Sequence, residues 1–235
     1  MKPWLLYHIP KTGGTSLSQH LQREMSATGD FLSITLQPRP GSFTASQVRA
    51  MPAERLAGVR VFQGHAVGRY LCELLPSSSF HEVVVLREPA ARIISHFNFR
   101  TSLASLEQDT NMTFQAFLQT LPSDFMLRFL CHRLGHPVNF RSLDRVIHDL
   151  SGVITLTMSE VDQAIMSISA ALGVSKAAER LNVSGVNVPQ RLAPEPDLVE
   201  ILRKLNPLDA ILYEAAVEMA PSSLTRLQEL EKSEQ

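Results

Sequence analysis

Long apolar runs are missing from this 235-residue sequence. None approaches the roughly 18 residues that cross a bilayer, so no membrane span is expected. Cysteine is scarce: Cys72 and Cys131 are the only two. That is too few for a disulfide scaffold and fits a reducing compartment. Neither sign of charge is in excess, with 22 Lys and Arg against 23 Asp and Glu and a formal net charge of -1. That balance gives no support for a nucleic-acid or membrane-surface partner. Met1 leads straight into "KPWLLYHI", which lacks the architecture of a secretory leader. A cytoplasmic protein is the expectation, with a Golgi-lumenal domain trimmed of its anchor as the alternative. In a cytoplasmic chain the sequons at Asn111 and Asn182 are coincidental. No repeat is visible and no linker divides the chain, so residues 1–235 are expected to form a single domain.

What is present is a regular alternation. "WLLYHI" (4–9), "FLSITL" (31–36), "VRVFQGH" (59–65), "HEVVVLR" (81–87) and "GVITLTM" (152–158) read as strands. The third-to-last, fourth and fifth of these are short, β-branched and bounded by turn residues. Val83–Leu86 is apolar without interruption, as a strand covered on both faces of a parallel sheet must be. Helical spacing follows from Thr15 through Leu17, Leu21 and Met25, and again after Pro89, which suits a first helical turn. Residues 113–150 read as helical with breaks at Pro122 and "GHPVN". A helix over 160–172 ends at Gly173, residues 182–196 form a long loop, and the C-terminus is helical from Asp197. The pattern predicts an α/β protein with a mainly parallel central sheet in three α/β/α layers, similar to P-loop NTPases.

The stretch "YHIPKTGGTSLSQHL" (7–21) sets Lys11, Thr12, Gly13, Gly14, Thr15 and Ser16 between a strand and a helix. Such a loop presents backbone N–H groups at the positive end of a helix dipole, which suits an anion. The glycines allow close backbone approach, the hydroxyls can donate and Lys11 adds a mobile charge. A nucleotide triphosphatase loop of the Walker type would instead end in Gly-Lys-Ser/Thr. Here the lysine comes first, and no apolar strand ends in a metal-binding Asp.

"PKTGGTSL" resembles the 5′-phosphosulfate loop of sulfotransferases that use 3′-phosphoadenosine 5′-phosphosulfate (PAPS), most closely that of glycan-modifying and bacterial members. The resemblance implies a second anion grip, an Arg at a strand end and a Ser on the next helix, for the 3′-phosphate. "VVVLREPAARIISHF" supplies Arg87 and, eight residues on, Ser95, with Arg92, Ser95 and His96 on one helical face. "FQGHAVG" places His65 where glycan O-sulfotransferases carry a catalytic His after a Gly, and an imidazole accepts a proton near neutral pH. "ERLNVSG" resembles the late loop that closes over the nucleotide, which adds Asn182 and Ser184. The implied reaction is in-line transfer of a sulfuryl group to an acceptor hydroxyl, with His65 as base and Lys11 offsetting charge as 3′,5′-ADP leaves. No metal is required in that scheme. His132 and His136, four apart beside Cys131, form no second cluster.

Glu88 or Glu107 is the next candidate base. Arg39, Arg69 and Arg100 are candidate acceptor contacts, and residues 103–150 are expected to shape the acceptor site. A Mg²⁺-dependent kinase is the rival enzyme. A PAPS- or 3′,5′-ADP-binding module without activity is the rival that keeps Lys11, Arg87 and Ser95. The acceptor is a hydroxyl compound, a glycan or a small molecule; the sequence carries no sign of which, or of the oligomeric state.

Overall fold

Six short strands make the middle of the molecule in the computed structural model, which describes residues 2–25, 28–76, 78–106, 112–175 and 191–233, without the side chains of 104–106. They are β1 (Trp4–Tyr7), β2 (Phe31–Thr35), β3 (Phe43–Thr44), β4 (Val61–Gly64), β5 (His81–Leu86) and β6 (Ile154–Thr157). The helices are α1 (Gly14–Met25), α2 (Ala45–Arg49), α3 (Ala53–Ala57), α4 (Tyr70–Leu74), α5 (Pro89–Leu106) and α6 (Phe114–Thr120). They continue with α7 (Phe125–Leu134), α8 (Ser142–Gly152), α9 (Val161–Ala171), α10 (Pro196–Lys204) and α11 (Pro207–Ser233). Glu107, Asn182 and Ser184 lie outside the described residues.

The strand order is β3-β2-β4-β1-β5-β6, and every pairing is parallel, not merely most of them. From β1 the chain passes through α1 to β2 on one side. From β5 it passes to β6 on the other. Connections that diverge in this way leave a crevice between the carboxyl ends of the two strands, where open α/β sheets hold ligands.

Alternation along the strands supplies both faces. Leu5, Tyr7, Phe62, Val84 and Leu86 point to the side of α7 and α8, where Met126, Leu130 and Val146 meet them. Leu6, Val61, Val83, Val85 and Leu156 point the other way, onto Leu17 and Leu21 of α1 and Ile165 and Ile168 of α9. Val84 and Leu86 are at most 1% exposed. Burial of each side chain of this size stabilises the sheet by about 1.5–3 kcal/mol. A separate cluster of Ile93, Ile94, Phe97, Phe117 and Leu202 packs α5, α6 and α10 together. The edge strand β6 is covered by α11, whose Ser223 hydroxyl accepts from the Thr155 N–H at 2.9 Å. Among the described residues no helix is long and apolar enough to cross a membrane.

Two helix starts cap each other at one corner. Asp209, at the start of α11, accepts from the N–H groups of Met126 and Leu127 in α7 at 3.0 and 2.8 Å. Asp124, just before α7, accepts from those of Leu208 and Asp209 at 2.9 and 3.0 Å. Asp209 is fully buried. Burial pushes its carboxyl up to about 6 although two N–H donors and Arg92 pull the other way. The folded state therefore holds this proton more tightly than the unfolded chain. The Asp209 contribution to stability is fully present below about pH 4 and is lost as pH rises through about 6, a swing of about 3 kcal/mol. Asp209→Asn should flatten that part of the profile in urea titrations run from pH 4 to 7. An unchanged profile would assign the pH dependence to other groups.

Candidate active site

The anion loop leaves β1 at His8 and turns twice through the left-handed region, at Lys11 (φ 71°) and Gly13 (φ 88°). For a lysine this conformation is uncommon and strained. Two contacts hold it. The buried Thr12 hydroxyl donates to the Ile9 carbonyl at 3.0 Å, and Arg87 Nη1 donates to the Lys11 carbonyl at 3.2 Å. Thr12 is thus a brace inside the loop, and its hydroxyl proton is committed there instead of to an anion. Ser16 N–H donates back to Gly13 at 3.3 Å. The N–H groups of residues 11–15 have no acceptor among the described residues and stand at the start of α1.

Packing against the His8 ring requires Gly14, and the left-handed φ requires Gly13. A Cβ on Gly14 would lie 2.6 Å from His8 Cδ2, and one on Gly13 would lie 2.5 Å from Met158 Sδ. In the sequence their role is close approach of the backbone to an anion. The structure adds that His8 and Met158 occupy the space on the protein side.

Lys11 and Arg87 face each other across the crevice between β1 and β5. Burial, and then the neighbouring Arg87 charge, lower the Lys11 ammonium from its ordinary range. Burial also lowers Arg87, with Glu88 opposing and Arg191 reinforcing the effect. Neither cation has a carboxylate within ion-pair distance among the described residues. The Lys11 ammonium rests over the Phe99 ring, 4.0 Å from its centroid. Two cations held together without an acid favour a bound anion. Ser95 is half-buried on α5 without a hydrogen-bond partner among the described residues. Its companions on that face divide. His96 meets the edge of Phe117 at 5.2 Å and is lowered to about 4 by burial and by Arg92, Lys11 and Arg100. Arg92 turns inward, buried, with its guanidinium 4.6 Å from the Phe125 centroid.

His65 follows β4 on the other side of β1. It is placed by Gly64, whose φ is 137° and whose added Cβ would fall 2.0 Å from the Ile34 carbonyl oxygen. His65 Nδ1 lies 2.7 Å from the His8 carbonyl oxygen. A carbonyl only accepts, so Nδ1 carries the proton and Nε2 is the basic atom. Burial lowers the His65 imidazole from 6.5, with Arg39 and Arg133 adding to the effect and the His8 hydrogen bond opposing it. The ring is accordingly neutral at pH 7, as a base must be.

His8 itself was not singled out by sequence. Its ring lies against His65, with centroids 4.4 Å apart, and burial with the His65 and Lys11 charges lowers it to about 3. The one usable hint was Gln63, a lone amide in the otherwise apolar strand β4. Gln63 is buried and its Nε2 donates to His8 Nδ1 at 2.9 Å. Phe99 and Arg191 carried no recognisable signal.

Other expectations are redirected. Arg69 lies in a half-buried network away from the loop. Its Nε is 3.1 Å from Glu82 and its Nη1 2.5 Å from Asp149, which His136 also approaches at 2.8 Å. Arg69 is therefore a structural cation and not an acceptor contact, and His136 is engaged with Asp149. Glu88 starts α5: its carboxylate accepts from Ala91 N–H at 2.7 Å and lies 3.6 Å from Arg203. Arg39 and Arg100 lie near enough to His65 and His96, respectively, for their charges to lower those imidazoles.

Compared with protein-family models and with curated proteins, the chain matches none. The functional reading rests on the residues and their arrangement.

Proposed function

We propose that the chain is a PAPS-dependent sulfotransferase acting on a hydroxyl acceptor. The observation that carries this reading is the pair of cations, Lys11 and Arg87, that act on each other with no ion-paired acid among the described residues, together with an imidazole at the end of β4 whose Nε2 is the basic atom. A donor with two separated anionic groups suits that arrangement. The N–H groups of the loop, with Lys11, Thr15 and Ser16, would hold the 5′-phosphosulfate. Arg87 and Ser95 would hold the 3′-phosphate, with Arg191 adding charge beside Arg87.

In the reaction the acceptor oxygen attacks sulfur as His65 Nε2 takes the hydroxyl proton. The bond from sulfur to the bridging phosphate oxygen breaks, and its electron pair leaves on 3′,5′-ADP. Lys11 and the loop dipoles offset the charge that grows on that oxygen. A kinase would need a carboxylate to hold its metal at a strand end. Among the described residues Glu88 and Glu160 stand at the ends of β5 and β6: Glu160 takes the Thr157 N–H at 2.8 Å, and one Glu88 oxygen takes the Ala91 N–H while the other, Oε1, has no hydrogen-bond partner and lies 3.6 Å from Arg203.

Calorimetric titration tests the reading. Without Mg²⁺, 3′,5′-ADP is expected to bind more tightly than 5′-AMP or Mg²⁺-ATP. Arg87→Ala is expected to weaken 3′,5′-ADP by about 10- to 100-fold, as loss of a charged hydrogen bond should. The same substitution should leave 5′-AMP nearly unaffected. Preference for Mg²⁺-ATP, or indifference to Arg87, would favour the kinase.

A further inference from the structure

Every polar atom of the His8 side chain has a partner, and the partners belong to different parts of the site. Gln63 donates to Nδ1, so the proton of the neutral ring sits on Nε2. Nε2 lies 3.4 Å from Thr15 Oγ1, which it can only approach as donor. With its oxygen accepting from His8, the Thr15 hydroxyl proton is left for another acceptor. The His8 carbonyl meanwhile takes the Nδ1 proton of His65, and the His8 ring covers one face of the His65 ring. Cδ2 fills the space above Gly14 that any side chain there would occupy. The charged groups facing this pair are Arg39 and Arg133 on the His65 side and Lys11 on the His8 side.

We propose that His8 is a positioning residue that aims the Thr15 hydroxyl as a donor into the anion loop and, through its ring and carbonyl, holds His65 with Nε2 as the proton-accepting atom. The inference rests on the sulfotransferase reading for what the loop holds. It goes beyond that reading in joining the base to the loop through a single residue, by its ring and its main-chain carbonyl.

Two substitutions separate the two duties. His8→Phe keeps a ring over His65 and loses the bond to Thr15. It should weaken 3′,5′-ADP binding about fivefold, the scale of one lost neutral hydrogen bond, and leave the His65 titration in place. His8→Gln keeps an amide for Thr15 and removes the ring. It should spare 3′,5′-ADP affinity and let water reach His65, moving its titration up towards 6.5. Thr15→Val removes the donor itself and should weaken 3′,5′-ADP at least as much as His8→Phe, without moving His65.

Calorimetry reads the first effect. Imidazole ¹⁵N NMR reads the second, reporting both the tautomer and the titration of His65. Wild-type behaviour of both histidine variants in both measurements would overturn the proposal. So would two variants that each change both measurements together, because one undivided effect would replace two. If wild-type protein fails to bind 3′,5′-ADP, the sulfotransferase reading falls, and the His65 titration in the two variants still decides whether His8 positions it.

Discussion

Gly64→Ala should lower the urea midpoint sharply and abolish the placement of His65. The added Cβ would lie 2.0 Å from the Ile34 carbonyl oxygen and 2.9 Å from its carbon. Both are backbone atoms of the neighbouring strand β2, which cannot rotate away as a side-chain tip could. The Ile34 carbonyl is also fixed as acceptor for the Ala66 N–H at 3.1 Å, and the Gly64 carbonyl as acceptor for His8 N–H at 3.3 Å. Relief of the clash would therefore break hydrogen bonds on both sides of β4. The φ of 137° adds a conformational penalty of its own for any residue with a Cβ. Together these place the expected loss at about 3–5 kcal/mol, at the severe end for a single substitution. Gly152→Ala is the control, since a Cβ there would meet nothing within 4 Å. Equal midpoints for the two variants would show that β2 and β4 can part at no cost, against the geometry described.

The second large effect concerns the proposed chemistry. His65→Ala should reduce sulfuryl transfer by about 10²- to 10⁴-fold, the usual contribution of a positioned general base. Binding of 3′,5′-ADP should persist, because Lys11, Arg87 and the loop N–H groups are untouched. Release of 3′,5′-ADP from PAPS reports transfer whichever hydroxyl compound serves as acceptor, so the measurement can be run across a panel of sugars and alcohols. The acid limb of the wild-type pH profile should fall on the acid side of 6.5. Burial, Arg39 and Arg133 all disfavour the protonated ring, so the base stays competent to lower pH than an ordinary histidine. Full transfer by His65→Ala would move the base elsewhere. Loss of 3′,5′-ADP binding in the same variant would mean that His65 supports the loop and not the proton transfer.

Much of the framework was readable from sequence because it depends on signals of one dimension. Val83–Leu86 reads as a strand buried on both faces, and a Lys-Thr-Gly-Gly-Thr stretch between strand and helix reads as a loop with free donors. The short helices α2, α3 and α4 were not anticipated, since five residues carry too little of the helical period to register. The two-residue strand β3 escaped for the same reason. In the site, the neighbours along the chain were found and the neighbours across the sheet were not. The partnership of His8 with Gln63 depends on how β1 and β4 align, with Leu6 opposite Gln63 and Tyr7 opposite Gly64. The engagement of Thr12 with Ile9, and of Arg69 with Glu82 and Asp149, likewise reflects side-chain directions that spacing does not encode.

The central place of β1 has a consequence for how the chain is made. Trp4 pairs with Val61 on one side and with His81 on the other, so β1 leaves the ribosome well before either of its sheet partners, more than fifty residues further on. Pairing across such separations is slow compared with local helix formation. During that interval "WLLY" is an apolar segment with both edges open, a species prone to self-association. Production of this protein should therefore be sensitive to translation speed and to holding chaperones early in synthesis, and far less so once residue 86 has emerged.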